Sequence, residues 1–337
     1  MTRSWHGRGA GHTVRAAGVP ECWRPGPDIA DTGAMGPPVV LAPPGHRAPA
    51  PALRGLVAYH GYDLRGHAPG RHRGLPSPSL TFVVTFGPGL ELERPDGGRD
   101  RFAACVGGLH DTPERIVHDG RQSGVHLTVH PLAARVLFGL PAAELAEVTV
   151  DAQDVLGAAG RELAERVAET EDAGWETRYA ALDDVLTRQL RRHDDTGEAA
   201  DEVRHAWRVL TGPEPGGVGA LASEVGWSGD HLGRRFRAEF GVGPKVAARM
   251  ARFDRARRDV ARRAGGGSLV LADVAADHGY ADQAHLTREF RALAGCAPSR
   301  WVAEEVLTGM SGGADDPGAG LGSVQDGAAP RPRSSTT

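Results

Sequence analysis

Residues 271–301 read LADVAADHGYADQAHLTREFRALAGCAPSRW, and the order of residue types in this stretch decides the fold of the C-terminal third of the chain. The spacing predicts a short helix over Asp273–His278, stopped by Gly279, because glycine enters the left-handed backbone conformation that ends helices. Tyr280 follows as a large side chain for the corner. Leu286 and Phe290 then fall one turn apart, so they bury one face of a second helix and leave the opposite face free. Gly295 closes that helix shortly before Pro298. Two helices joined by a tight glycine turn, the second with one free polar face, are the parts of a helix-turn-helix.

The same order occurs upstream in LASEVGWSGDHLGRRFRAEFGVGP, residues 221–244. Here Gly219–Val225 is the predicted first helix, Gly226 the stop, Trp227 the corner, and Leu232 with Phe236 the buried pair. The free face of the second helix offers Asp230, Gly233, Arg234 and Arg237 in the first copy, and Gln283, Ala284, Thr287, Arg288 and Arg291 in the second. His231 completes the candidate DNA-contacting set. Outward Arg and Gln suit the major groove, where Arg pairs with guanine and Gln with adenine edges. Between the copies, Pro244 to about Ala264 is predicted as a single helix of about 30 Å at 1.5 Å per residue, ended by Gly265-Gly266-Gly267. A DNA turn is about 34 Å, so one such helix can hold two reading heads on successive major-groove segments.

Charge follows the same division. The chain is acidic overall at −4, yet Ser228–Arg263 holds 11 Arg or Lys against four Asp or Glu, and such a patch attracts polyanions. Arg249, Arg252, Arg255, Arg257, Arg258, Arg262 and Arg263 lie on several faces of the connecting helix. Some are therefore expected on phosphates and others in solvent, giving affinity and register without sequence information.

On these residues Val203–Trp301, about 100 of 337 residues, resembles the two-unit DNA-binding domain of AraC/XylS-type transcription regulators. The second copy matches the family signature at Gly279, Tyr280, Asp282, Gln283, His285, Leu286, Arg288, Phe290, Gly295 and Pro298. The resemblance implies a sequence-specific regulator that binds double-stranded promoter DNA and needs no cofactor. It leaves RNA polymerase, a small-molecule effector and a second copy of the chain as candidate partners. It places base reading on Asp230, Gly233 and Arg234, and on Gln283, Ala284, Thr287 and Arg288. The first copy departs from the pattern: Gly229 and Gly233 each weaken its helix by about 1 kcal/mol relative to Ala, Gly233 has no side chain to read a base, and Asp230 repels phosphate. Arg234 is therefore expected to carry most of the first unit's specificity, and the second unit most of the total. The competing structural role for Arg234 and Arg288 is an ion pair with Glu239 or Asp282.

Upstream, Leu53–His130 shows short alternating runs broken by turns at Pro88-Gly89 and Asp96-Gly97-Gly98, which read as antiparallel strands of a small sheet or barrel. Pro131 opens a helix to about Phe138. Leu163, Val167, Trp175, Tyr179, Leu182, Val185, Leu186 and Leu190 form one apolar helical stripe, suited to packing on its own domain or to a dimer. The expected class is α+β: a β-rich sensory or dimerisation domain with appended helices (51–193), a linker (194–200) and an all-α double helix-turn-helix domain (201–307). Residues 1–50, with eight Pro and eight Gly, and residues 308–337 have the composition of disorder. Met35 is a candidate alternative start. No secretory signal or membrane-length apolar run is present, so a cytoplasmic, non-membrane protein is expected.

The alternative function is a DNA-binding domain fused to a metal- or thiol-dependent enzyme or redox sensor. Its candidates are His60, His110, His118, His126 and His130 for a metal, and Cys105, in AACVGGLH, for a thiol. His126 and His130 share a strand face, but no acidic partner stands at a metal-binding spacing, and no nucleophile, base and orienting group come together. Not an enzyme, and no metal, is the expectation. Three widely spaced cysteines exclude a disulfide framework or zinc knuckle.

Overall fold

Apolar and polar residues alternate with period two along the strands, and this alternation builds an antiparallel sheet with two unlike faces. The computed structural model describes residues 39–40, 47–168, 174–193 and 197–306. The segments read as disordered, together with Met35, therefore lie outside the described residues except for 39–40 and 47–50. A six-stranded sheet has the order β1 (Val39–Val40), β2 (Val57–Arg65), β9 (Gln122–Val129), β4 (Leu80–Thr85), β7 (Ala104–Gly107) and β10 (Thr149–Asp151). A four-stranded sheet has the order β3 (Gly70–Gly74), β8 (Glu114–His118), β5 (Leu90–Glu93) and β6 (Arg99–Phe102).

The register pairs Tyr59 with Leu127 and Leu127 with Phe82, so Val57, Tyr59, Phe82, Val84, Val106, Val125, Leu127 and Val129 share one apolar face. That face is covered by α1 (Ala133–Phe138), α2 (Ala152–Leu156), α3 (Ala158–Ala168) and α4 (Trp175–Arg192), through Leu137, Leu156, Leu163, Leu182, Val185 and Leu186. The expected apolar stripe is thus spent within the chain, with Leu182, Val185 and Leu186 fully buried. On the other face, Val83 and Cys105 meet Leu90 and Leu92 of the smaller sheet, with Tyr62, Phe102 and Ile116 around them. His60 and His126 are paired across β2 and β9 on this inner face, ring centroids 5.8 Å apart.

The C-terminal third is helical: α5 (Asp201–Thr211), α6 (Val218–Glu224), α7 (Gly229–Phe240), α8 (Pro244–Gly265), α9 (Leu271–Asp277), α10 (Gln283–Ala294) and α11 (Pro298–Trp301), followed by a π turn at Val302–Val306. Its apolar side chains fall into two clusters. Those of α5, α6, α7 and the start of α8, through Met250, are continuous with the core of the β-rich part. Those from Phe253 onward, in the rest of α8 and in α9 to α11, form a second core around Phe290 and Trp301. The division between cores falls inside α8, not at residues 194–200.

Candidate nucleic-acid interface

Both helix-turn-helix units are built by the same local chemistry. In the first, α6 ends at Glu224, Val225 follows as its C-cap, and Gly226 takes φ +71°. The Ser228 side chain then accepts the His231 N–H at 3.2 Å and starts α7. In the second, Gly279 takes φ +70°, and Asp282 accepts the His285 N–H at 2.6 Å to start α10. These caps satisfy backbone donors that a helix start otherwise leaves unpaired. Leu232 and Phe236, and Leu286 and Phe290, are fully buried as the spacing required. Phe236 stacks on Trp207 of α5 and Phe240 lies tilted against it, and Phe290 packs between Phe253 and Trp301.

The free faces are where the sequence puts them, with one correction. Asp230, Arg234 and Arg237 of α7 are exposed and His231 is half-buried; Gln283, Ala284, Arg288 and Arg291 of α10 are exposed and Thr287 is half-buried. Gly233 is buried, not presented. At about 100° per residue it lies on the Phe240 side of the helix rather than beside Arg234, and Arg237 folds back over it, Nη1 3.5 Å from the Gly233 carbonyl oxygen. On α10, Gln283, Ala284, Thr287, Arg288 and Arg291 line one shallow open depression. The competing ion pairs do not form: Glu239 is held by Arg135, and Asp282 caps α10.

The arginines of α8 are placed differently from the expectation. The helix presents few free charges, because most of its guanidiniums are used inside the molecule. Arg257 and Arg258 both reach Asp254 at 2.7 Å. Arg262 and Arg263 reach Asp259, Arg263 at 2.9 Å, and Arg255 donates to the Thr211 carbonyl at 3.1 Å. Arg249 and Arg252 grip Glu289 of α10 at 2.7 and 2.6 Å. Burial opposes ionisation of Glu289, yet these two guanidiniums hold its carboxyl below the usual carboxylate range. Arg252 also lies 4.6 Å from the centre of the Tyr280 ring, so one carboxylate ties the connecting helix, the turn and the second reading helix together. Sequence reading passed over Glu289; its signal was a charge on the buried side of an amphipathic helix.

The helix-turn-helix motif agrees with an outside comparison. The family described as a helix-turn-helix domain matches residues 221–304. This segment is an AraC-type helix-turn-helix domain. No curated protein matches the chain by sequence. Among solved structures, the chain is loosely similar to ToxT from Vibrio cholerae O395, with 10% identity, a TM-score of 0.42, and coverage of 75% of this chain and 97% of that one. Apo ToxT from Vibrio cholerae strain SCE256, in a single-residue variant, gives 11% identity and a TM-score of 0.45, covering 73% and 97%. Wild-type ToxT of that strain, described as bound to unsaturated fatty acid, gives 10% and 0.43, covering 76% and 96%.

The candidates outside the AraC-type domain do not form one cluster, although His60 and His126 face each other. His110 has its Nδ1 at 2.6 Å from the Thr112 carbonyl, His118 Nδ1 accepts from the Gly120 N–H, and His130 Nδ1 accepts from the Leu132 N–H. Among the described residues no three metal-ligating side chains converge. Cys105 is buried in β7, and burial pushes its thiol up, away from the reactive thiolate. No helix among the described residues is long and apolar enough to cross a membrane.

Proposed function

We propose that the chain is a sequence-specific transcription regulator whose α7 and α10 enter successive major-groove segments of promoter DNA, with α10 carrying most of the specificity. The observation that carries this reading is the exposed face of α10, where Gln283, Thr287, Arg288 and Arg291 surround one open depression and Arg288 is engaged by neither of its expected carboxylates. Arg288 presents a fork for guanine and Gln283 an amide for adenine. On α7, Arg234 reads with Asp230, His231 and Arg237 beside it, and Gly233 contributes nothing.

The β-rich part, with His60, Tyr62 and His126 on the inner face of its larger sheet, is the proposed site of effector sensing. RNA polymerase and a second copy of the chain are further proposed partners, and the cytoplasm is the proposed location. The test replaces Arg288 and Arg234 with Ala and measures affinity for a bound genomic site and for a scrambled duplex. Arg288→Ala is expected to weaken the genomic site by about 10- to 100-fold, the value of a bidentate base contact, and the scrambled duplex far less. Equal losses on both duplexes would reject base reading.

A further inference from the structure

We propose that Arg135, in the β-rich part of the chain, is a positioning residue for DNA reading by α7; this rests on the proposal that α7 enters a groove. Arg135 donates Nε to Glu239 Oε1 at 2.9 Å and Nη2 to Oε2 at 2.7 Å, a two-point fork that fixes direction as well as distance. Its Nη1 donates to the Gly197 carbonyl at 3.3 Å. Glu239 lies in the last turn of α7, buried on the face opposite Arg234, so the pair holds the reading helix from behind.

A second, independent contact fixes the same helix end. Gly241 closes α7 with φ +76°, directly against the turn at Ala142–Leu145, and a Cβ there would sit 2.2 Å from the Ala146 Cβ. The close of α7 is therefore seated on the β-rich part both by an ion pair and by backbone contact. Among the described residues α10 has no ion pair to the β-rich part, and its closing glycine, Gly295, meets that part only loosely, at Pro113, whose Cγ would lie 3.5 Å from an added Cβ. By the alignment of the repeats the position of Glu239 is occupied by Leu293, buried in the second core, and α10 is held through Glu289 to α8. The first head thus takes its orientation from the β-rich part and the second from the connecting helix. Any shift of α1 is passed to α7 and not to α10.

The test uses the full-length chain and three duplexes: a bound genomic site, the same site with the α7 half scrambled, and the same site with the α10 half scrambled. The variants are Arg135→Gln, Arg135→Lys and the charge-swapped pair Arg135→Glu with Glu239→Arg. In the unaltered protein each scrambled half weakens binding. In Arg135→Gln the penalty for scrambling the α7 half shrinks by at least about threefold, within the range of coupling between contacting charged groups, while the penalty for the α10 half is unchanged. Arg135→Lys keeps part of the α7 penalty, having the charge without the fork, and the swapped pair restores it. The swapped pair also serves if Arg135→Gln fails to fold. An unchanged α7 penalty in Arg135→Gln, or tighter binding to the intact site, overturns the proposal; the second result would make the pair a restraint. If the unaltered protein shows no penalty for either scrambled half, the reading of DNA by the two helices fails instead.

Discussion

The two helix-turn-helix units share a sequence pattern and differ in what holds them. The first is part of a core that runs from Leu53 to Met250, and its reading helix is braced by Arg135. The second has its own core, from Phe253 to Val302, and its reading helix is locked to α8 by Glu289. It meets the β-rich part through Arg73 of β3 on Glu304 at 2.9 Å and on Glu305, with Leu75 against its core and Pro113 beside Gly295. A repeat in sequence therefore specifies the shape of each unit but not its attachment. The attachment is decided by single positions such as Glu239 against Leu293.

The largest expected effect tests this division directly. Phe290→Ala and Phe236→Ala each remove a fully buried ring, at a cost of about 3–5 kcal/mol. Phe290→Ala is expected to loosen only the second unit, exposing its backbone to protease while the β-rich part melts as before. Phe236→Ala is expected to lower the melting of the β-rich part too, because the core is continuous. Independent melting in both variants would break the comparison.

Next in size are the losses at the reading faces, about 1–3 kcal/mol for Arg288→Ala on the genomic site and less for Arg234→Ala. The Arg135 variants follow, with their effect confined to the half-site under α7. A pH titration bears on the β-rich side of the comparison. Burial holds His72 and His126 at about 3 and His130 at about 4, all below the unfolded value near 6.5. The unfolded chain therefore binds more protons than the native one as pH falls below about 6.5, and stability is lost progressively down to about 3–4. Thermal melts at pH 7 and pH 5 should show the β-rich part losing at least about 5 °C; equal melting at both would contradict neutral histidines at these three positions. The smallest expected effect is a gain. A Cβ at Gly233 would lie 3.5 Å from Arg237 Nη1, an ordinary contact, so Gly233→Ala should stabilise α7 by about 0.5–1 kcal/mol without adding a base-reading group.

The helix-turn-helix units were legible because their signals are local: a glycine at each stop, an aromatic at each corner, a Leu and Phe one turn apart. The strands carrying VAYHGY, LTFVVT and VHLTVH were legible from alternation over a buried face. β3 and β8 were not: RHR and ERIVH carry charges on half-exposed strands, and β3, at the edge of the smaller sheet, pairs with β8, at least 40 residues on in the chain. The burial of Gly233 was available from helical geometry but concealed by aligning it with Thr287. The fate of the α8 arginines was hidden because a basic run reads the same whether its partners are phosphates or Asp254, Asp259 and Glu289. The shared core across residues 194–200 was hidden for a related reason: an apolar stripe shows that a face is buried, not against what.

The most direct measurement is the affinity of the full-length protein for a bound site in which every base pair is replaced in turn. With two unequal heads on one site, the larger penalties fall in the half-site under α10, including a guanine whose replacement costs nothing further in Arg288→Ala, with fewer sensitive positions under α7. Penalties spread equally over both half-sites, or a guanine penalty that survives Arg288→Ala at every position, would contradict it.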